Sequence, residues 1–277
     1  MTSPDWTPAP TADGSITMID PGGLALHDRQ GAWTESQERY AKGCALHERA
    51  RDLDRLGLLD IGTGIGMNLA AALEAVHGGR ARLDVTSFEL HPGVLRAALL
   101  LEQPATVERW IAPVRDALQR ALADLEAARV HGIELGDRHH LRLVVGDARA
   151  FLPEVPSDSI DAVFLDPFAP AEAPDLWSRS FLADVARTMS TGARLATYTA
   201  SLSVRTRLAA AGLNVGAAAR VGHKAQGTLA TRGVAVPPLE ERSARKLGRR
   251  LERMGLACPE PPAGSGSCAT DSRPGPV

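Results

Sequence analysis

Hydrophobic positions along this chain gather into short runs, each stopped by glycine, proline or an acid. LGLLDI (56–61) is such a run and ends in a glycine-rich turn, after which MNLAAALEAV (67–76) consists almost wholly of helix formers. LDVTSFEL (83–90) has the β-branched and aromatic content of a strand, and Pro92 stands where a helix tolerates proline, in its first turn. LRLVVGD (141–147), IDAVFLD (160–166) and ARLATYT (193–199) read as further strands, with helical patterns over 113–131, 175–189 and 202–211. Strands separated by helices of this length predict βαβ units and a doubly wound, mostly parallel Rossmann-like α/β sheet. Two last runs, LNVGAAARV and QGTLATR, are joined at Gly222-His223-Lys224. They predict a terminal antiparallel hairpin and bring the sheet to seven strands.

The flanks have a different texture. Residues 1–13 are polar and Pro-rich and read as a flexible leader. Residues 14–55 form an N-terminal extension with turns at Gly14 and Pro21-Gly22-Gly23 and a helical pattern from about Glu35. The α/β domain itself spans 56–236, a basic helical segment 237–257, and a Pro/Gly/Ser-rich tail, read as disordered, 258–277. In the helical segment, Arg242, Arg245, Lys246, Arg249, Arg250 and Arg253 fall at offsets that share one face, beside a stripe of Leu247, Leu251 and Met254. Such a face either is simply solvated or neutralises phosphates.

Composition adds exclusions. Hydrophobic residues make up 44% and charged ones 23%, enough to bury a sizeable core. The formal net charge of -2 means that any nucleic-acid contact must come from local basic patches. No run approaches the length of a membrane span. Cys44, Cys258 and Cys268 are few and widely spaced, which fits a reducing cytoplasm rather than a disulfide framework. His27, His47, His139 and His140 show no metal-ligand spacing, so no metal is expected.

The candidate chemistry sits at strand ends. Asp60-Ile61-Gly62-Thr63-Gly64-Ile65-Gly66 follows a strand and opens a helix. A glycine turn there lets backbone approach a ligand and aims helix N–H groups at it, although such turns also merely cap strands. Glu89 ends the second strand, 29 residues beyond Asp60, where a carboxylate can accept both ribose hydroxyls. Asp147, with Ala148 beside it, ends the third strand, in reach of an adenine edge. Asp166-Pro167-Phe168 ends the fourth, next to where a transferred group would lie. NAD and S-adenosylmethionine both fit this arrangement.

The acid ahead of the first glycine is similar to the first motif of class I methyltransferases, in which the acid and glycines surround the methionine part of S-adenosylmethionine. That resemblance places Asp60, Gly62, Thr63, Gly64, Gly66, Asn68, Glu89, Asp147, Ala148 and Asp166 around the cofactor. The longer stretch FLDPFAPAEAPDLWSRSFLADVARTMSTGARLATYTA resembles the methyltransferase domain of the MnmC family of tRNA wobble-uridine enzymes. The likeness extends upstream to Asp13-Gly14-Ser15 and Gly31–Ser36, and downstream to Ala211-Gly212-Leu213 and the Lys224–Ala230 region, covering about 11–235. Departures lie at Pro167, Ala173 and Ala193, and in Gly222–Gln226, where that family has a more basic hairpin. MnmC proteins often carry an FAD-dependent oxidase domain as well; none is expected in this chain.

The resemblance implies methyl transfer to the amine of a 5-aminomethyl-(2-thio)uridine in tRNA. Asp166 would orient the amine and accept its proton, Phe168 and Trp177 would stack on the extruded base unless they serve packing, the reading favoured for Trp177, and Lys224 would bind the substrate. Two alternatives stay open. One is a small-molecule amine transferase of the same fold, a methyltransferase or a spermidine-synthase-like enzyme, whose glycine loop reads differently. The other is a non-catalytic protein that retains the fold.

Overall fold

The computed structural model describes residues 6–126, 128–221 and 226–256. Its centre is an eight-stranded sheet in the order β5-β6-β4-β3-β7-β8-β10-β9. The strands are β3 (Arg55–Ile61), β4 (Arg82–Glu89), β5 (Val130–Leu135), β6 (His139–Val145), β7 (Ile160–Leu165), β8 (Met189–Thr197), β9 (Asn214–Ala217) and β10 (Thr228–Thr231). The five central strands run parallel, and β5, β9 and β10 join by antiparallel pairing. Chain order reverses between β3 and β7, the switch point at whose carboxyl side open α/β sheets bind ligands.

Nearly continuous apolar runs suit strands covered on both faces. Along β3, Leu56 and Leu58 join one core with Val85, Phe164 and the helices α3 (Met67–Val76), α4 (Pro92–Ala98) and α5 (Ala105–Ala123). Leu59 and Ile61 point the other way, into a second core with Val163, Leu165 and Leu195. That core is closed by α7 (Arg179–Thr188) and α8 (Leu202–Ala210).

Three elements differ from the sequence expectation. The sheet has eight strands rather than seven, because 130–135 is a strand and not a helix end. His131, Ile133 and Leu135 alternate inward there, a period of two that a helix cannot satisfy. The helix ahead of it spans Ala105–Ala123 rather than 113–131, with Pro104 at its N-cap and Pro113 in its interior. Finally, Thr7–Pro10 is no free leader but the strand β1, paired antiparallel with β2 (Ile16–Ile19). Prolines at alternate positions cost this ladder little, since only alternate N–H groups face the partner.

The ribbon is fastened to the domain by Gln103. Its Nε2 donates to the Ile16 carbonyl (2.7 Å) and its Oε1 accepts from the Ile16 N–H (2.9 Å). From Gly31 the chain enters α1 (Ala32–Glu35), passes directly into a π-helical stretch, Ser36–Ala41, and then into α2 (Leu46–Asp52). Buried Ser36, Arg39 and Tyr40 turn this stretch into the domain, and single π turns recur at functional sites. No helix among the described residues is long and apolar enough to cross a membrane.

Candidate active site

A cavity of about 450 Å³, within the usual size of small-molecule sites, opens over the carboxyl ends of the parallel strands. Ile61–Gly64 from β3, Phe88–His91 from β4, Gly146–Arg149 from β6, Asp166–Ala169 from β7 and Tyr198 after β8 line it. Trp6 ahead of the N-terminal extension, Leu24–His27 and Glu35 within it, Val94 and Glu172–Leu176 line the rest.

On the β4 side the site is made of backbone and carboxylate. Gly62 adopts φ +99°, and a Cβ there would lie 2.6 Å from the Asp166 carbonyl oxygen, so only glycine fits. The Gly62 and Thr63 N–H groups donate to the Phe88 carbonyl at 3.0 and 3.1 Å, folding the loop over β4. Glu89 is buried; Oε2 accepts from the Gly64 N–H and Oε1 from the His91 N–H, both at 2.9 Å. Burial raises its carboxyl above the ordinary value, with those backbone donors opposing. Asp147 caps the short helix α6 (Ala148–Phe151) through the Arg149 N–H. Its pairing with the Arg149 side chain holds its carboxyl low, and that guanidinium also reaches Asp175 across the mouth.

On the β7 side the site is made of side chains from distant parts of the sequence. Asp166 Oδ1 accepts from the Tyr40 hydroxyl, and Oδ2 accepts from Asn68 Nδ2 at 2.8 Å. Ser36 donates to Asn68 Oδ1 at 2.7 Å, which fixes the amide so that its N–H₂ faces Asp166. The Asp166 N–H in turn donates to the Ile61 carbonyl at 3.0 Å, tying this loop to the glycine loop. Desolvation, then the Glu35 carboxylate, push the Asp166 carboxyl up to about 7, against the pull of its two donors. Burial, then the Asp166 and Glu35 carboxylates, push the Tyr40 hydroxyl well above its usual value, so it stays a proton donor. Glu35 faces the cavity and pairs with Arg39 at 3.1 Å. Phe168 reaches the cavity half-buried, and Tyr198 donates to the Pro167 carbonyl at 3.0 Å.

The predicted residues therefore divide. Gly62, Thr63, Gly64, Glu89, Asp147, Ala148, Asp166 and Phe168 line one cavity. Asp60 does not: it is 0% exposed beneath the glycine loop, where Ser87 donates to Oδ2 at 2.6 Å and Oδ1 has no hydrogen-bond partner among the described residues. Gly66 also lies outside the lining and lets α5 approach, since a Cβ there would fall 2.6 Å from Val114 Cγ1. Asn68 is a buried bridge to Asp166 rather than a wall of the cavity. Trp177 is corrected as a base-holding residue: it is 0% exposed, donates to the Phe168 carbonyl at 2.8 Å and meets Tyr198 edge-on, so it props the loop from behind. Lys224 lies outside the described residues. Among those residues no group of three His, Cys, Asp or Glu is placed to hold a metal ion.

Tyr40, Ser36, Glu35 and Tyr198 were not singled out by sequence reasoning. One signal was available: the chain has only two tyrosines, and both turn out to stand at the Asp166 loop.

A glycine cradle, a buried carboxylate one strand over, a capped turn on the third strand and an Asp-Pro-Phe loop on the fourth define a class I S-adenosylmethionine-dependent methyltransferase. The comparisons agree. A family model described as S-adenosyl-L-methionine-dependent methyltransferase matches residues 112–233. The crystal structure of MnmC2 from Aquifex aeolicus is similar with TM-score 0.72 and 33% identity, over 88% of this chain and 75% of that one. The chain belongs to this MnmC2 family of methyltransferases. It is also 34% identical over 228 residues to the "tRNA 5-methylaminomethyl-2-thiouridine biosynthesis bifunctional protein MnmC" of Azoarcus sp. (strain BH72), covering 80% of this chain and 33% of that protein. The protein of the same description in Aromatoleum aromaticum is 33% identical over 217 residues, 76% of this chain and 31% of that one. The chain thus spans about a third of the length of the curated relatives it matches. A probable spermidine synthase from Corynebacterium glutamicum, at 16% identity and TM-score 0.50, shares the fold alone.

S-adenosylmethionine is the cofactor of this enzyme, and the residues fit it. The cradle at Gly62 would be filled by any Cβ, Gly64 opens onto the cavity, and Glu89 presents its carboxylate at the tip of β4.

Proposed function

We propose that this chain methylates the primary amine of 5-aminomethyl-uridine, including its 2-thio form, at the wobble position of tRNA. The observation that carries the reading is Asp166: a carboxylate at the cavity floor, gripped by two neutral donors, with a raised pKa and Phe168 at its side. The names of the MnmC relatives support the choice of acceptor.

When bound, S-adenosylmethionine supplies an electrophilic methyl group on a sulfonium. Gly62–Gly64, Glu89 and the Asp147–Ala148 turn hold it, with Glu89 placed for the ribose hydroxyls. Thr63 keeps the loop's shape through its 2.6 Å hydrogen bond to Ser87, which in turn rests on Asp60. A primary alkyl amine titrates at about 10 in water, as lysine does, so most of it arrives as ammonium without a nucleophilic lone pair. Asp166 accepts a proton from that group at a carboxylate oxygen, and its ordinary acidity would make it far too weak a base. Raised to about 7, it is better matched to the task. Phe168 offers a ring face to an extruded base. The catalytic unit is 56–236, completed by Glu35, Ser36 and Tyr40 of the extension, and a cytoplasmic location fits an enzyme acting on tRNA.

The test is incubation of the chain with labelled S-adenosylmethionine and tRNA from a strain lacking the gene, then nucleoside mass spectrometry. Label in 5-methylaminomethyl nucleosides is the expected result. Label confined to a small amine would overturn the reading in favour of a small-molecule transferase.

A further inference from the structure

The α9 helix (Glu241–Arg253) takes no part in the cavity, and the family-model match ends before it, at residue 233. Only Leu247 and Leu251 of this helix are buried, against Ala209 of α8, with Leu202, Leu239 and Leu256 around them. The opposite side is cationic. Arg242, Arg245, Lys246, Arg249 and Arg253 are exposed and Arg250 half-buried. Between Glu240 and Arg253 six cations stand against three carboxylates, in a chain whose net charge is -2. Of the six, only Arg245 has a carboxylate partner among the described residues, Glu241, in an exposed pair worth little. Arg253 donates to the Arg249 carbonyl, and among the described residues Arg242, Lys246, Arg249 and Arg250 form no ion pair with an acid.

The helix also sits on the acceptor flank of the site. Tyr198 lines the cavity at the end of β8, and four residues later Leu202 opens α8 and abuts the α9 leucines. Arg207 on α8 donates to the Trp177 carbonyl at 2.6 Å, fixing α8 to the loop that carries Asp166 and Phe168. The glycine loop and Glu89 lie toward the other end of the sheet.

We propose that the exposed face of α9 is a docking surface for the phosphate backbone of the acceptor RNA, held while its target base enters the cavity. The inference rests on the proposed acceptor and adds where the rest of that molecule is gripped. Charge complementarity selects the occupant: five of the six cations are arginines, whose fork pairs phosphate oxygens two at a time. A membrane surface is a poor match, because interfacial helices bury an apolar face in lipid and the apolar stripe of α9 is already spent on α8.

The experiment uses the full chain and a variant with Arg242→Gln, Lys246→Gln and Arg249→Gln, exposed positions where glutamine keeps helix propensity. Binding of unmodified tRNA is measured from 50 to 200 mM salt, alongside S-adenosylmethionine affinity and single-turnover methylation at saturating tRNA. Each neutralised phosphate adds about 0.7–0.9 to the slope of log K against log salt. The triple variant should therefore lose roughly two units of slope and at least about tenfold in tRNA affinity at the lower salt. Cofactor affinity and the saturated rate should stay within a factor of two. Unchanged tRNA affinity and slope in the folded variant would overturn the inference while leaving the proposed reaction standing. So would a wild-type preference that shows only on phosphatidylserine vesicles or poly-glutamate. Failure of the wild-type chain to methylate any tRNA is the separate result that removes the acceptor itself.

Discussion

The two halves of the cavity are built by different means. The half under β3, β4 and β6 uses backbone N–H groups, glycine geometry and carboxylates that sit at the ends of their own strands. The half under β7 and β8 is assembled from side chains far apart in sequence: Tyr40 reaches Asp166 across 126 residues and Asn68 across 98. A loop made of backbone tolerates most changes around it, whereas a gripped carboxylate changes its acidity when any one partner is lost. The first half is suited to hold an invariant cofactor, and the second to set the reactivity of one group.

This contrast can be broken most sharply at Asp166. Asp166→Asn should lower the single-turnover rate by about 10²–10⁴-fold, the usual weight of one general base, with S-adenosylmethionine affinity by calorimetry within a few-fold of wild type. A loss of cofactor binding as large as the loss of rate would erase the division between the halves. Glu89→Ala is the mirror experiment. It should weaken cofactor binding by about 10–100-fold, the worth of one or two charge-assisted hydrogen bonds, yet leave the rate at saturating cofactor within a factor of about three.

Tyr40→Phe sharpens the comparison further. Removing one donor should slow turnover about tenfold, the scale of one buried hydrogen bond. It should also move the acid limb of kcat/KM upward, because that donor pulls the Asp166 pKa down from where burial would put it. A rate loss with an unmoved pH profile would assign Tyr40 to packing alone.

A smaller effect appears in stability. The Asp166 pKa is raised in the folded chain, from 3.8 to about 7, so the folded state binds the proton more tightly than the unfolded state does. Its contribution is full below pH about 4 and fades as pH rises through about 7. The Tm of the cofactor-free chain should fall across that window relative to Asp166→Asn, measured by calorimetry in matched buffers. Smallest of all is Arg149→Ala: its ion pairs at the cavity mouth are half exposed, and cofactor affinity should change less than about threefold.

Legibility in the sequence follows the same division. The glycine loop, Glu89, Asp147 and Asp166 could be read because each lies at the end of an apolar run, where local pattern alone fixes position. The parallel sheet was legible for the same reason. What could not be read was anything set by pairing across the fold. Tyr40 looks like an ordinary residue in a short helix until the π-helical stretch folds against β7. Trp177 looks like a stacking platform until its Nε1 is seen spent on the Phe168 carbonyl. Asp60 lies in the motif yet points beneath the loop, because alternation along a strand allows only every second side chain to face a given side. The strand at 130–135 was hidden by its length, six residues after a nineteen-residue helix.

The β1–β2 ribbon carries a practical consequence. Trp6, just ahead of β1, is itself part of the cavity wall, and Leu24 and Leu26 from the turn beyond β2 stand beside it. An affinity handle, a fluorescent protein or a surface-immobilisation anchor fused at the N-terminus would join the chain only a few residues from this wall. Kinetic constants obtained from N-terminally fused protein should therefore be compared with those of the cleaved form.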